Sequence, residues 1–272
     1  MRPRSIVFDL YGDYVRYRGG EARLRALTAL LACFEVGEST TRVVMARLRK
    51  EGWFDTRTTG RETVYSLQPK TWQMLDEGRS RIFERDTGAW EGQWYMVIYS
   101  VPETDRALRE EVRKELTWLG FGPLGSSTWV SPRDRLALVA ERFADHPHLR
   151  LDLLSCRSAG LTHDREMAAR CWDLDGLNDD YVAFLRRYRP MLPRFRSGQL
   201  TGEQALVTRT ELIHDYRKFP FRDPDLPVEL LPAGWRGRDA YDMFMTGHDL
   251  LAKPAEQFVD EILAEGSRSQ AG

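Results

Sequence analysis

The stretch STTRVVMARLRKEGWFDTRTTGRETVYSL, residues 39–67, decides the reading of the front of the chain. Ser39 or Thr40 is placed to cap a helix that runs from Arg42 through Val43, Val44, Met45, Ala46, Arg47, Leu48 and Arg49 to Lys50 and stops at Gly52. At about 100° per residue, Val44 and Leu48 fall together on the side expected to face a core. Arg42, Ala46 and Arg49 recur at i, i+4 and i+7 on the opposite side, with Met45 and Lys50 at its edges and Thr41 beside them. Beyond Gly52, residues 53–58 and 61–67 have the β-branched and aromatic content of two strands around a tight turn at Thr59-Gly60. Arg57 and Arg61 flank the tip of that hairpin.

Upstream, Ile6, Phe8, Leu10 and Tyr11 make the apolar stripe of a short helix that Gly12-Asp13 interrupts. Leu24, Leu27, Leu30, Leu31 and Phe34 then predict a second helix, from about Glu21 to Cys33, closed by Gly37. Two helices joined by a short turn, the second one basic and followed by a basic hairpin, predict a winged helix-turn-helix over residues 1–68. The outward helix face has a small residue at its centre and suits a major groove about 12 Å wide, with Arg for guanine edges and Lys for phosphates. Thr41, Arg42, Met45, Ala46, Arg49, Lys50, Arg57 and Arg61 are therefore the candidate contacts to double-stranded DNA. The plainer alternative is a helical subdomain with a solvated charged face.

Charge is distributed to match. The whole chain of 272 residues has a formal net charge of -1, but residues 1–70 hold 13 Lys and Arg against 8 Asp and Glu, or +5, and the remainder holds 27 against 33, or −6. A polyanion-binding module joined to a different kind of body has this asymmetry. A composition of 42% hydrophobic and 30% charged residues excludes disorder as the main state. The longest nearly unbroken apolar run, residues 26–34, is far short of the roughly 20 residues of a spanning helix, and no signal-peptide pattern opens the chain, so a cytoplasmic protein without membrane association is expected. Cys33, Cys156 and Cys171 are odd in number and lack a CxxC, which suggests neither a disulfide framework nor a zinc ribbon.

Residues 69–90 read as a connecting helix. A strand at residues 94–101, a helix at 104–119, extended pieces around Phe121 and 127–130, a helix at 133–144 and a strand at 149–155 follow. This β-α-β-β-α-β order predicts a ferredoxin-like middle domain over residues 91–172. A helical C-terminal domain is expected over residues 173–272, giving an α+β protein overall. No catalytic motif is present: there is no GxSxG, Walker loop or GxGxxG, and His146-Pro147-His148 lacks a third ligand. The run from Asp173 to Asp179 has its Gly at the fourth position rather than the sixth, so it reads as a helix-capping turn and not a calcium loop. No cofactor, metal site or enzymatic activity is expected.

Several stretches, taken in order, carry a resemblance: LYGDY at residues 10–14, KEGW at 50–53, YSVPE at 99–103, WLGFGPL at 118–124, WVSP at 129–132 and FPFRDPDLP at 219–227. Together they resemble the PaaX-type repressors of phenylacetate catabolism along nearly the whole chain. The resemblance implies a winged helix, a ferredoxin-like middle domain similar to the CRISPR adaptation nucleases and, over residues 173–272, a helical C-terminal domain for effector binding and dimerisation. It also implies a homodimeric operator-binding repressor released by an acyl-CoA such as phenylacetyl-CoA. The alternative of a metal-dependent nuclease needs an Asp near the end of the first middle-domain strand. That end reads Tyr99-Ser100-Val101-Pro102, and capping is the expected work of Glu103 and Asp105 beyond it. For an aromatic acyl-CoA, the candidate site is the mixture of Arg209, His214, Arg217 and Lys218 with Phe219, Phe221 and Trp235, where rings meet apolar groups and cations meet phosphates. The alternative there is that Phe219, Phe221, Leu226 and Trp235 merely pin a Pro-rich strap to the helix.

Overall fold

In the computed structural model, which describes residues 1–84 and 89–268, the front segment begins with α1 (Pro3–Asp13). A 3-10 turn at Val15–Arg18 and β1 (Glu21–Arg23) lead into α2 (Leu24–Ala32) and α3 (Glu38–Lys50). The hairpin β2 (Phe54–Thr59) and β3 (Glu62–Leu67) follows, then α4 (Pro69–Phe83). The three strands form one antiparallel sheet in the order β1-β3-β2, with Glu21 opposite Ser66 and Phe54 opposite Leu67. The strand β1 stands where the second helix was expected to begin. Gly19 and Gly20, at φ 86° and 71°, turn the chain so that Glu21–Arg23 runs along β3, and the helix starts three residues later. Ile6, Val7 and Leu10 of α1, Leu27, Leu30 and Leu31 of α2, and Met45 and Leu48 of α3 are buried. The Tyr11 ring lies 4.7 Å from that of Phe54, and its hydroxyl donates to the Tyr65 carbonyl at 3.1 Å, so the polar tip of a buried tyrosine is satisfied.

The middle segment runs β4 (Trp94–Ser100), α5 (Arg106–Trp118), β5 (Gly122–Pro123), β6 (Thr128–Ser131), α6 (Leu136–Arg142), β7 (Arg150–Cys156) and α7 (Leu161–Cys171). Its strands pair antiparallel in the order β5-β6-β4-β7, which fits a ferredoxin-like fold. Alternation along β4 sends Val97 and Tyr99 into a core with Leu108, Val112 and Leu116 of α5 and with Val139. Trp94 joins Val130 and the α7 residues Met167, Ala168 and Cys171 in a second core. Gly122 is required by packing, because a Cβ there would stand 2.5 Å from the Trp172 ring. Asp105 accepts a hydrogen bond from the Leu108 amide at 3.0 Å and so caps α5.

The tail contains α8 (Leu174–Tyr188), α9 (Leu192–Arg196), α10 (Gly202–Tyr216) and α11 (Gly237–Arg268). Asp173 Oδ1 accepts from the Gly176 amide at 3.0 Å, the capping turn read from the sequence, and a Thr201/Gln204 capping box opens α10. The chain forms two compact units that interleave in sequence. One unit takes residues 1–84, 183–218 and 238 onward, and the other takes the described residues from 89 to 182 together with 219–237. Among the described residues, no helix is long and apolar enough to cross a membrane.

Candidate nucleic-acid interface

α3 presents its two sides differently from the arrangement expected of its sequence. Thr41, Met45 and Leu48, at i, i+4 and i+7, are the buried residues, and Val44 is only half-buried. Thr41 and Met45 are thus corrected from candidate DNA contacts to core residues: Thr41 Oγ1 donates to the Gly37 carbonyl at 3.2 Å, and Met45 is fully enclosed. The helix starts at Glu38 with Gly37 at its N-cap, so neither Ser39 nor Thr40 caps it. With the core side rotated this way, Arg42, Val43, Ala46, Arg47, Arg49 and Lys50 are all exposed. Two of the arginines are held by acids one turn away. Arg42 donates to Glu38 Oε1 from Nη2 at 2.6 Å and from Nε at 3.0 Å, and Arg47 Nε donates to Glu51 at 2.9 Å.

The hairpin stands beside this helix. Arg49 Nη1 is 3.5 Å from Thr56 Oγ1 on β2, which ties the end of α3 to the strand. At the tip, Gly60 takes φ 62°, as the first position of a two-residue hairpin turn requires, and Arg61 is exposed next to it. Arg57 donates to Glu21 Oε2 and to Thr59 Oγ1, each at 2.6 Å. The cationic field reaches the Tyr65 hydroxyl: burial pushes its pKa up, and Arg49 and Arg42 pull against that shift. The Glu51 carboxyl is lowered to about 2 by hydrogen bonds from Arg4 and then Arg47. Solvent-exposed ion pairs of this kind are worth little to stability.

Arg209, His214, Arg217 and Lys218 each have a carboxylate partner within the protein. Two carboxylates of α1, Asp9 and Asp13, are buried, and each receives a histidine and an arginine. Asp13 has His248 Nε2 at 2.9 Å and Arg209 Nη1 at 3.2 Å. Asp9 has His214 Nδ1 and Arg217 Nε, each at 2.9 Å. Burial alone would raise the pKa of Asp13, but the His248 hydrogen bond, together with the charges of His248, Arg209 and Arg79, outweighs it and holds the group below the ordinary carboxylate value. Lys218 donates to Asp215 at 2.9 Å. Phe219 and Trp235 pack on Tyr181 with ring centroids at 4.3 and 5.5 Å, and Phe221 stacks on Trp118 at 5.5 Å. Arg209, His214, Arg217 and Lys218 belong to one compact unit; Phe219, Phe221 and Trp235 belong to the other.

Three family profiles match in chain order: PaaX-like protein over residues 2–71, PaaX protein central Cas2-like domain over 87–168 and PaaX-like protein C-terminal domain over 172–261. The chain is also 35% identical over 265 residues to a protein of Escherichia coli (strain K12) named transcriptional repressor PaaX, with 94% of this chain and 83% of that one covered. The chain belongs to the PaaX-like family. Among solved structures, the uncharacterized protein Rv0674 from Mycobacterium tuberculosis shares its fold, with a TM-score of 0.61, 23% sequence identity and coverage of 97% of this chain and 98% of that one. In this PaaX-like chain the third family segment is divided between the two compact units. Sequence reasoning missed Asp9 and Asp13. Ile6, Asp9, Leu10 and Asp13 sit at i, i+3, i+4 and i+7, the spacing of a buried face, and carboxylates at such positions call for cationic partners. Val43 and Arg47 were left off the outward face because the core side of α3 was placed about one residue off.

Proposed function

We propose that this chain is a transcriptional repressor that binds double-stranded DNA through a winged helix-turn-helix, with α2 and α3 as the two helices and β2–β3 as the wing. The observation that carries the proposal is the exposed surface of α3, where Arg42, Arg47, Arg49 and Lys50 face solvent and Arg49 joins the helix to a hairpin tipped by Arg57 and Arg61. An α-helix of this width enters the major groove, the wing arginines reach phosphates or the adjacent minor groove, and the arginines' acidic partners give way to phosphate oxygens. The repressor name of the Escherichia coli relative supports the same reading. The protein acts in the cytoplasm as a homodimer on an inverted repeat whose half-sites lie one or more helical turns of roughly 34 Å apart. The family resemblance adds release by an acyl-CoA such as phenylacetyl-CoA. Arg209, His214 and Arg217 enter this proposal as the hold of α10 and its C-cap on α1, because each already carries a carboxylate partner. At the end of β4 the residues are Tyr99, Ser100 and Val101, which supply no carboxylate for the nuclease alternative.

The test is binding of the purified chain to DNA upstream of its own gene and neighbouring genes, at about 50 and 200 mM salt, where phosphate contacts separate from base contacts. Specific, salt-sensitive binding that an Arg42→Ala/Arg49→Ala double variant loses is the expected result, with phenylacetyl-CoA reversing it. Affinity unchanged in the double variant would overturn the recognition-helix assignment.

A further inference from the structure

The outermost line of α3, directly opposite the buried Thr41, Met45 and Leu48, passes through Ser39, Val43, Ala46 and Lys50 at steps of four, three and four residues. Val43 lies at its middle and is 68% exposed, one of the most exposed large hydrophobic residues described. The fold gains nothing from it there. A β-branched side chain lowers helix propensity, and its apolar surface is left in water. One turn further along the same line, Ala46 adds a second small apolar group. The long cations stand to either side: Arg42 is drawn toward Glu38 and Arg47 toward Glu51, so the centre of the surface is apolar and its margins are charged.

Resting on the DNA-binding reading above, we propose that Val43 is a specificity-determining residue that reads the 5-methyl group of a thymine in the major groove. A valine has no hydrogen bond to offer a base edge, and the thymine methyl is the apolar group a major groove presents. The flanking arginines have the charge and reach for phosphates on the two strands bordering that groove. One thymine per half-site is therefore read by contact of methyl with methyl, with Ala46 leaving room for the base edge to approach. Burying one methyl group corresponds to about a three- to fivefold change in affinity.

The experiment selects binding sites for the full-length chain from a random duplex library, then replaces each thymine of the selected site in turn by deoxyuridine, which differs only in the missing methyl. For the wild type, one position per half-site is expected to lose affinity about three- to fivefold. Val43→Ala should lose affinity for the thymine-containing site by a similar factor and become indifferent to the deoxyuridine replacement, while Val43→Thr, which keeps one methyl, falls between. Both substitutions lie at an exposed helical position and leave the thermal transition in place. If Val43→Ala shows the same deoxyuridine losses as the wild type, the assignment of Val43 is overturned while the DNA-binding reading stands. If the wild type enriches no sequence, the DNA-binding reading is overturned and this inference with it.

Discussion

Replacing Asp13 by Asn tests the clamp that α10 and α11 place on α1. The substitution keeps the shape of the side chain and removes its charge, leaving the buried Arg209 guanidinium facing an amide. Arg209 retains Glu256 at 3.4 Å, but that carboxylate is only half-buried, and the ring of Tyr14, 5.1 Å from the guanidinium, is no substitute for a buried anion. Breaking one side of a buried pair costs about 3–5 kcal/mol. In a protein of this size each kcal/mol moves the midpoint by about 2–4 °C, so a fall on the order of 10 °C is expected in a thermal scan at pH 7. Removing both charges tells burial from pairing: Asp13→Asn/Arg209→Met replaces the unpaired cation by an apolar side chain and should recover much of the loss. The sign with pH is fixed by the direction of the Asp13 shift. Its pKa is lower folded than unfolded, so its contribution is fully present above about pH 4, the unfolded value, and is lost as pH falls through the folded one. The gap between wild type and variant should therefore hold from pH 7 to 5 and close in stronger acid. A variant melting within about 2 °C of wild type at pH 7, or a double variant no better than the single one, would refute the clamp.

Met45 and Lys50 lie on opposite sides of α3 and should separate cleanly. Met45→Ala opens the core and should cost about 2–5 kcal/mol in urea unfolding. Lys50→Ala should stay within about 0.5 kcal/mol in the same assay, yet weaken DNA binding and lower the slope of log affinity against log salt by about one if Lys50 meets a phosphate. Gly122→Ala brings a methyl against the Trp172 ring and should cost about 1–3 kcal/mol, read as a lower midpoint together with a changed tryptophan emission. If Arg57 meets a phosphate, Arg57→Ala should reduce affinity nearly equally for specific and non-specific DNA, as measured by competition titration.

Much of the fold is local and was legible in the sequence. The helix ending at Lys50, the hairpin across Gly60, the strand at residues 94–100 and the capping turn at Asp173 follow from periodicity, turn chemistry and side-chain hydrogen bonds spanning a few residues. β1 escaped detection because a three-residue strand has too few alternations to be distinguished from the start of the apolar-striped helix that follows, and only its pairing with β3 makes it a strand. The core side of α3 was misplaced for a related reason. In a basic helix with few apolar residues, Val44 and Met45 are equally hydrophobic neighbours, and packing against α1 and α2 selects Met45.

The sequence alone determined that a basic helix and a basic hairpin stand next to each other at the front of the chain, because both depend on neighbours within about thirty residues. The tertiary structure decided the partners of Arg209, His214 and Arg217. Their partners Asp9 and Asp13 precede them by 196 to 208 residues, and a basic side chain read in isolation looks as available to a phosphate as to a buried carboxylate. The physical reason is the cost of burial: two carboxylates on the inner face of α1 are costly without partners, and the fold brings Arg209 and His214 of α10, Arg217 at its C-cap and His248 of α11 against them.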